Sequence, residues 1–413
     1  MKFLEYMMKI RLTILCGLGF LFLSGSRVYS QEALTFDHYL HKVGKQNLEY
    51  MATRLNVKIA DAEVIAAKVL PDPSLDFEAA RDNFTLGLSY TLELGKRHAR
   101  VKAAKSERDM EKLALEGSFQ DLRAKSAELF LEAILQKELL KVKEESYSYM
   151  SKLSTSDSLR YIAGDITEND ARQTRLEKIS LLNDVYEQEA AYRSALVELN
   201  QFMGIDSDIL LDPSGNWENL ERDFKLASLL DEGRVNRPEI LIASKNIDVN
   251  QKNYKLVRAE RRPDVDLSVS YERDWDHFLP QARLTTVGVS LPLAISNLNR
   301  GAVKSAKLKT EQATIEYKDV ELQVLSEIRQ AWFDFEASRK KVAQYRTGIM
   351  DESRKVLDGM VYKYKRGEAT VLDVLVSQRT YNEVCQDYLE TMKGYVSSLV
   401  TLERACGFWD IHF

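Results

Sequence analysis

The chain has 413 residues, 29% charged and 45% hydrophobic, a balance that excludes a disordered chain. A net charge of −5 argues against a nucleic-acid partner, and five histidines and three cysteines, widely scattered, argue against a zinc or iron–sulfur framework. None of the seven prolines lies within 74–212 or 293–413, so long helices are expected there.

In chain order, Lys9 and Arg11 precede the apolar run Leu12–Leu23, and small and polar residues follow up to Val28-Tyr29-Ser30-Gln31. These are the three parts of a secretory signal peptide, with cleavage expected after Ser30 and a mature chain of 31–413. Cys16 follows the bulky Leu15 and so makes no lipobox. No later segment approaches ~20 continuous apolar residues, so a membrane-embedded part would have to be built from strands. The first unit (31–203) reads as a helix over 35–69, strands over 74–80 and 84–94, a helix over 96–162, a turn at Gly164 and a return helix over 167–203. The join, 204–236, holds Gly204, Pro213, Gly215 and Gly233 and reads as a loop plus a short helix. The second unit (237–413) repeats the order: helix 237–261, strands 264–273 and 282–293, helix 299–365, a turn at Gly367 and helix 370–405.

The two units are copies. Tyr161, Gly164 and Asp170 recur as Tyr364, Gly367 and Asp373; Thr85-Leu86-Gly87-Leu88-Ser89 recurs as Thr286-Val287-Gly288-Val289-Ser290; Val101-Lys102-Ala103-Ala104-Lys105 recurs as Val303-Lys304-Ser305-Ala306-Lys307. The strands alternate. Phe84, Leu86, Leu88, Tyr90, Leu92 and Leu94 fall on one face, as do Val265, Leu267, Val269 and Tyr271, and Val287, Val289, Leu291 and Leu293. The other face carries Asp76, Glu78, Glu93, Asp264, Asp266 and Glu272, which would favour cations if it lines a lumen. Period two with one wet face suits a soluble sandwich or a membrane barrel.

The helices decide between these. Leu115, Phe119, Leu122, Ser126, Leu129, Ala133, Gln136 and Leu140 form a heptad-like series, and Ile328, Phe335, Val342, Ile349 and Val356 recur every seven residues. A helix over 96–162 is ~100 Å long and cannot fold around one compact core. Four short strands cannot close a membrane barrel, which starts at about 8 strands, so closure needs several chains, and three would give about 12.

With the duplicated unit, the two Tyr-x-x-Gly turns with Asp six residues after Gly, Arg237-Pro238-Glu239-Ile240 and Arg262-Pro263-Asp264, the chain resembles a TolC-family outer-membrane efflux protein over its whole mature length. The resemblance implies a mainly α fold with a small β part: a homotrimer whose 12-stranded barrel sits in outer-membrane lipid and continues as a helical coiled-coil tunnel into the periplasm of a Gram-negative cell. It also implies a periplasmic adaptor protein at the closed end and an inner-membrane pump, of the resistance-nodulation-division type. Modest length and short extramembrane parts place the chain nearer the heavy-metal cation branch than the drug-efflux or type I protein-secretion channels. The resemblance carries over residue by residue at the tips. Asp373, with its repeat mate Asp170, would line the pore constriction; Tyr364 would join the closed-state network; Arg366, Lys365 or Arg172 would supply its cation, since Ala369 and Val376 stand where the best-known member has gating side chains. Tyr161, Gly164, Asp165, Tyr364, Gly367 and Glu368 would meet the adaptor, and Phe84, Leu86, Leu88, Tyr90, Leu267, Val269, Val289 and Leu291 would face lipid. The competing reading of each tip residue is a solvated helix end.

No catalytic pattern is present: the chain has no Walker loop, HExxH or EF-hand loop, and Gly87-Leu88-Ser89 and Gly288-Val289-Ser290 lack the second glycine of a nucleophile elbow. No cofactor and no metal site are expected, and His38 and His41 read as surface histidines. Trp332, Phe333 and Phe335 read as helix packing, and Trp275 and Phe278 fall in the predicted outer loop. The alternative of another class is a periplasmic coiled-coil adaptor or structural protein, which would not need two full hairpins with four apolar-faced strands beside them.

Overall fold

The computed structural model describes residues 34–412 apart from 82, 207–208, 218–219, 221, 275–282, 293–298 and 346–347. The signal peptide and the Trp275 and Phe278 positions lie outside the described residues. In chain order the elements are α1 (Phe36–Gln46), α2 (Leu48–Ala67), β1 (Ser74–Ala79), β2 (Asn83–Leu92), α3 (Lys96–Ala163), α4 (Glu168–Phe202), α5 (Leu226–Asn236), α6 (Pro238–Ala259), β3 (Val265–Asp274), β4 (Arg283–Ser290), α7 (Arg300–Tyr345), α8 (Ile349–Lys365) and α9 (Val371–Cys406).

Two expected helices are each divided. The helix expected over 35–69 breaks at Asn47, whose extended backbone ends α1 while its side chain accepts the Tyr50 N–H and donates to the Phe202 carbonyl, both at 2.9 Å. The helix expected over 299–365 is divided at Gly348, which takes φ 100 and opens α8. The break resets the helical phase. Ile328, Phe335 and Val342 are buried as the heptad requires, but Ile349 and Val356 are exposed and Leu357 is buried instead.

The sheet is antiparallel in the order β1-β2-β3-β4. Its register stacks Leu75 on Leu88, Phe77 on Leu86, Leu88 on Val269, Tyr90 on Leu267, Val269 on Val287 and Leu267 on Val289, so the expected apolar residues share one face. No helix packs across either face among the described residues. The apolar face is left bare: Leu75, Phe77, Leu86, Leu88, Leu267, Val269, Val287 and Val289 are all exposed.

The helices form a single curtain in the same order as the strands. Nearest the sheet, α3 packs between α2 and α6, and α6 packs against α7. Each of these four helices adjoins one strand in sequence: α2 leads to β1, β2 to α3, α6 to β3, and β4 to α7. Toward the far end α4 packs on α3, α3 on α9, and α9 on α7 and α8. One flank of the molecule is therefore β1, α2 and α4, and the other is β4, α7 and α8.

The main core lies midway, where the join between the repeats wraps the helices. Phe36 meets Phe130 (ring centroids 5.6 Å) and Trp409 (6.1 Å), and Phe335 meets Tyr395 (5.5 Å). Leu34 pairs with the 212–214 strand-like segment, donating to the Asp212 carbonyl at 2.9 Å and accepting from Ser214 N–H at 3.0 Å. The Arg237-Pro238 motif has a structural reason. Pro238 occupies the first turn of α6, where its missing N–H costs nothing, and Arg237 is buried where α6, α7 and α9 meet. Its guanidinium reaches Glu239 (2.7 Å) and Glu327 (2.8 Å) and donates to the Arg404 carbonyl, while Arg404 itself binds Asp121 (2.7 Å) on α3.

Candidate functional site

The end farthest from the sheet carries two tips built alike. After α3, Gly164 takes φ 82, and the Asp165 N–H closes back on the Arg160 carbonyl at 2.9 Å; after α8, Gly367 takes φ 75, and the Glu368 N–H closes on the Lys363 carbonyl at 2.9 Å. Each left-handed glycine satisfies the last carbonyls of one helix and reverses the chain. Thr167 and Thr370 then cap the return helices as full capping boxes with Asp170 and Asp373.

That geometry gives both aspartates a local structural task. Asp373 Oδ2 accepts from the Thr370 N–H (2.8 Å) and hydroxyl (2.7 Å), and Asp170 Oδ2 does the same with Thr167 (3.3 and 2.7 Å). Asp373 is exposed, and the bonds from Thr370 hold its carboxyl below the ordinary carboxylate range. Arg366 and Arg172 do not reach either aspartate. Arg366 pairs with Glu368 (3.0 Å) and donates to the Tyr362 hydroxyl (2.9 Å); Arg172 pairs with Glu168 (2.6 Å).

The repeat-related tyrosines have opposite environments. Tyr161 is 43% exposed at its tip, whereas Tyr364 is 4% exposed and belongs to a satellite core with Met150, Leu153, Leu181, Val371 and Val374. This core joins the two hairpins. At its edge stands Asp157 of α3, fully buried, which sequence reasoning missed. Arg160 lies 3.7 Å from its carboxylate and over the Tyr364 ring, 5.0 Å from the centroid. Tyr364 and Thr174 approach the carboxylate without closing well-aligned hydrogen bonds. Burial holds Asp157 above the usual carboxylate range, against the opposing pull of Tyr364, Thr174 and Arg160. Burial, then the Asp157 charge, pushes the Tyr364 hydroxyl up. The result is a tense polar contact between repeats within an apolar cluster, at the height of the tips.

At the opposite end the wet face of the sheet is less acidic than the sequence suggests. Lys96 binds Asp264 (2.7 Å) and Arg100 binds Glu93 (2.8 Å), neutralising two of the six carboxylates. Thr91 donates to Asp266 (2.6 Å) and Asn83 to Glu272 (2.8 Å), leaving their charges in place. The free flanks carry unpartnered apolar side chains. On one side these are Leu48, Met51, Leu55 and Ile59 of α2 and Leu176, Ile179 and Tyr186 of α4; on the other they are Leu308, Ile315 and Leu322 of α7 and Val356 of α8. Leu308, Ile315 and Leu322 stand seven residues apart, opposite the buried Ala306 and Ala313, which is coiled-coil spacing on an open edge.

With this geometry in place, likeness to known proteins is specific. The family model "Outer membrane efflux protein" matches residues 229–408. The cobalt-zinc-cadmium resistance protein CzcC of Cupriavidus metallidurans is 24% identical over 92% of this chain and 92% of its own length. The outer membrane efflux protein BepC of Brucella suis is 24% identical over 86% of this chain and 82% of its own. Among solved structures, CusC superposes with a TM-score of 0.74 at 16% identity, covering 92% of this chain and 93% of that one. The Campylobacter jejuni CmeC outer membrane channel gives 0.73 at 17% identity, with coverages of 93% and 90%. Duplicated hairpins, a bare-faced sheet with two free edges and end-to-end likeness to these channels agree: the chain is similar throughout its length to outer-membrane efflux proteins, and residues 229–408 match the model of that family.

Proposed function

We propose that three copies of the chain close one pore and that this pore is the passive outer-membrane exit of a tripartite system exporting metal cations. The observation that carries the pore is edge incompleteness at two levels. The sheet ends on β1 and β4, and the helical curtain ends on the same two flanks with apolar stripes uncovered. An open sheet edge is not tolerated in hydrocarbon, so β4 of one copy pairs with β1 of the next, which sets α7 against the neighbour's α2 and α8 against its α4. The bare apolar face, with Phe84, Leu86, Leu88, Tyr90, Leu267, Val269, Val289 and Leu291, then meets lipid. The cation cargo is supported by the full-length likeness to a cobalt-zinc-cadmium resistance protein and by the acids left on the wet strand face.

The tips follow from the same reading. As the ends farthest from the membrane, Tyr161, Gly164 and Asp165 with Gly367 and Glu368 meet the adaptor, which couples the channel to an inner-membrane pump of the resistance-nodulation-division type. The Asp157–Arg160–Tyr364 contact holds the two hairpins of a protomer together in the closed state, and Asp373, with Asp170 and Arg366, borders the constriction. Fractionation followed by light scattering in detergent tests the assembly: a trimer released from the outer membrane only by detergent is expected, and a water-soluble monomer would refute it. Deletion of the gene with measurement of cellular cobalt, zinc and cadmium tests the cargo. Lost drug tolerance with unchanged metal content would assign the channel to another pump class.

A further inference from the structure

The helix ends next to the sheet carry a charge pattern opposite to that of the chain. Overall the protein is acidic, at −5, yet residues 95–106 contain Lys96, Arg97, Arg100, Lys102 and Lys105, residues 299–310 contain Arg300, Lys304, Lys307 and Lys309, and neither stretch has an acid. Residues 255–262 add Lys255, Arg258, Arg261 and Arg262 against Glu260 alone.

The ion pairs sort these side chains by face. At about 100° per residue, Lys96 and Arg100 share one face of α3 with Glu107. Lys96 and Arg100 bind Asp264 and Glu93 of the wet strand face, and Glu107 accepts from Asn253 of α6 (3.2 Å). That face therefore continues the wet side of the sheet. His98, Lys102 and Lys105 project from the opposite face of α3, and Lys255 and Arg258 from the face of α6 turned away from Asn253; all five are exposed. On α7, Arg300 and Lys304 are exposed toward the open edge that carries Leu308, and Lys307 pairs with Glu311 (3.7 Å), so the pattern on the outer side rests on α3 and α6. The acids nearest to the α3 and α6 cations are placed elsewhere: seven residues on from Asn253, Glu260 falls on the Asn253 side of α6, Asp109 and Asp248 lie a turn or more farther from the strands, and Asp61 is 3.9 Å from Arg108.

We propose that these residues form a basic collar that binds the anionic headgroups of phospholipid in the leaflet facing the periplasm. The inference rests on the reading of the sheet as a lipid-embedded barrel. Continuity supplies the partner. The collar lies directly below the apolar strand face and on the same side of the wall, at the level that headgroups occupy once the strands are in hydrocarbon. Ammonium and guanidinium groups without acidic neighbours complement phosphodiester charge, and each such side chain near a membrane surface strengthens partitioning roughly fivefold. In the trimer the collar is repeated around the whole circumference. It would fix the depth of the barrel, so that the tips stand at one height above the inner membrane.

The test compares partitioning of the full-length detergent-extracted trimer into phosphatidylcholine vesicles and into vesicles of equal parts phosphatidylcholine and phosphatidylglycerol. The wild type is expected to prefer the anionic vesicles by well over about tenfold, and the preference should vanish in high salt. The fourfold variant Lys102→Gln, Lys105→Gln, Lys255→Gln, Arg258→Gln should lose it, while Arg175→Gln, Lys178→Gln, Lys340→Gln, Lys341→Gln, far from the sheet, should keep it. A salt-insensitive preference in the wild type overturns the collar, whatever the variants do. So does a collar variant that keeps its lipid preference but shifts the reversal potential, because its lysines would then line the lumen. A wild type that enters neither vesicle refutes the barrel itself, which separates that failure from failure of the collar.

Discussion

Glu403 gives the sharpest test of the core. It lies near the end of α9, fully buried, with Oε2 accepting the Asp410 N–H at 2.7 Å and Oε1 left without a partner. Arg123 stacks over Trp409 at 4.5 Å from the ring centroid, and Arg222 is drawn to Asp410, 3.2 Å from its carboxylate. Burial pushes the Glu403 carboxyl from an ordinary 4.5 up to about 7, with the Asp410 charge adding to it and the Asp410 N–H, Arg222 and Arg123 opposing. Because the folded state keeps a proton that the unfolded chain releases, stability is greatest below 4.5 and is lost as pH rises from 4.5 to about 7. At ~1.4 kcal/mol per pKa unit the limit is ~3 kcal/mol per chain, and residual hydration of the site brings this to about 2 kcal/mol. Glu403→Gln keeps the shape without the titration. In thermal scans at a fixed rate, the detergent-solubilised wild type should lose several degrees between about pH 5 and about pH 8, while the variant stays level and is the more stable of the two at the alkaline end. Parallel curves for the two proteins would show that Glu403 is ionised throughout and that the two arginines outweigh its burial.

Three further outcomes follow from the flanks, the sheet and the tips. Ile315 is 69% exposed in the single chain, so Ile315→Glu should leave the protomer folded while removing ~1.5–3 kcal/mol of apolar burial from each seam; light scattering in detergent should find monomers, and intact trimers would exclude α7 from the seam. Leu88→Arg should cost ~2–4 kcal/mol on the lipid side and reduce assembled protein, whereas Ser89→Arg, on the wet face, should be better tolerated; equal yields would invert the assigned faces. A Cβ at Gly367 meets nothing within 4 Å, so Gly367→Trp adds only left-handed strain of ~1–2 kcal/mol within the protomer, and export should fail with trimers intact; normal export would remove the tip from the adaptor interface.

Repetition and period were legible because each recurs many times. Strand alternation fixed one face of the sheet, and the paired Tyr-x-x-Gly turns fixed the tips to within a residue. Single-residue events were not legible. Asn47 ends one helix and starts the next through side-chain bonds to Tyr50 and Phe202, the second of which needs a partner 155 residues away. The Gly348 break has no counterpart in the first repeat, where α3 runs unbroken for 68 residues, so self-comparison argued for continuity and carried the heptad wrongly onto Ile349 and Val356. Asp157 did have a signal. The 3–4 spacing that ends at Leu140 continues through Lys143, Tyr147, Met150 and Ser154 to Asp157, an acid at a seam position, and a charge there is costly enough to call for an explanation. Repeat symmetry misled at the tyrosines, since burial of Tyr364 depends on α3 packing beside it and Tyr161 has no equivalent cover.

Asp373 is where capping and conduction have to be separated. Its capping box explains by itself why an aspartate recurs six residues past each turn glycine, so recurrence is no argument for a pore. Charge and geometry still leave room for one. Both bonds from Thr370 end on Oδ2, neither uses Oδ1, and they keep the carboxylate ionised. One oxygen can therefore serve the helix while the other faces a neck in which three copies would focus the field on cations. Val376, exposed three residues on, adds no second acidic ring. Substitution by alanine would confound the two tasks, but Asp373→Gln does not: glutamine at the third helical position still closes a capping box and carries no charge. Asp170→Gln is the matched control, with the same box at the other tip. In planar bilayers Asp373→Gln should lower cation preference clearly more than Asp170→Gln, with both trimers equally stable to heat. An unchanged reversal potential for Asp373→Gln would leave Asp373 as a helix cap and move selectivity to the carboxylates of the wet strand face that remain uncompensated, Asp76, Glu78, Asp266 and Glu272.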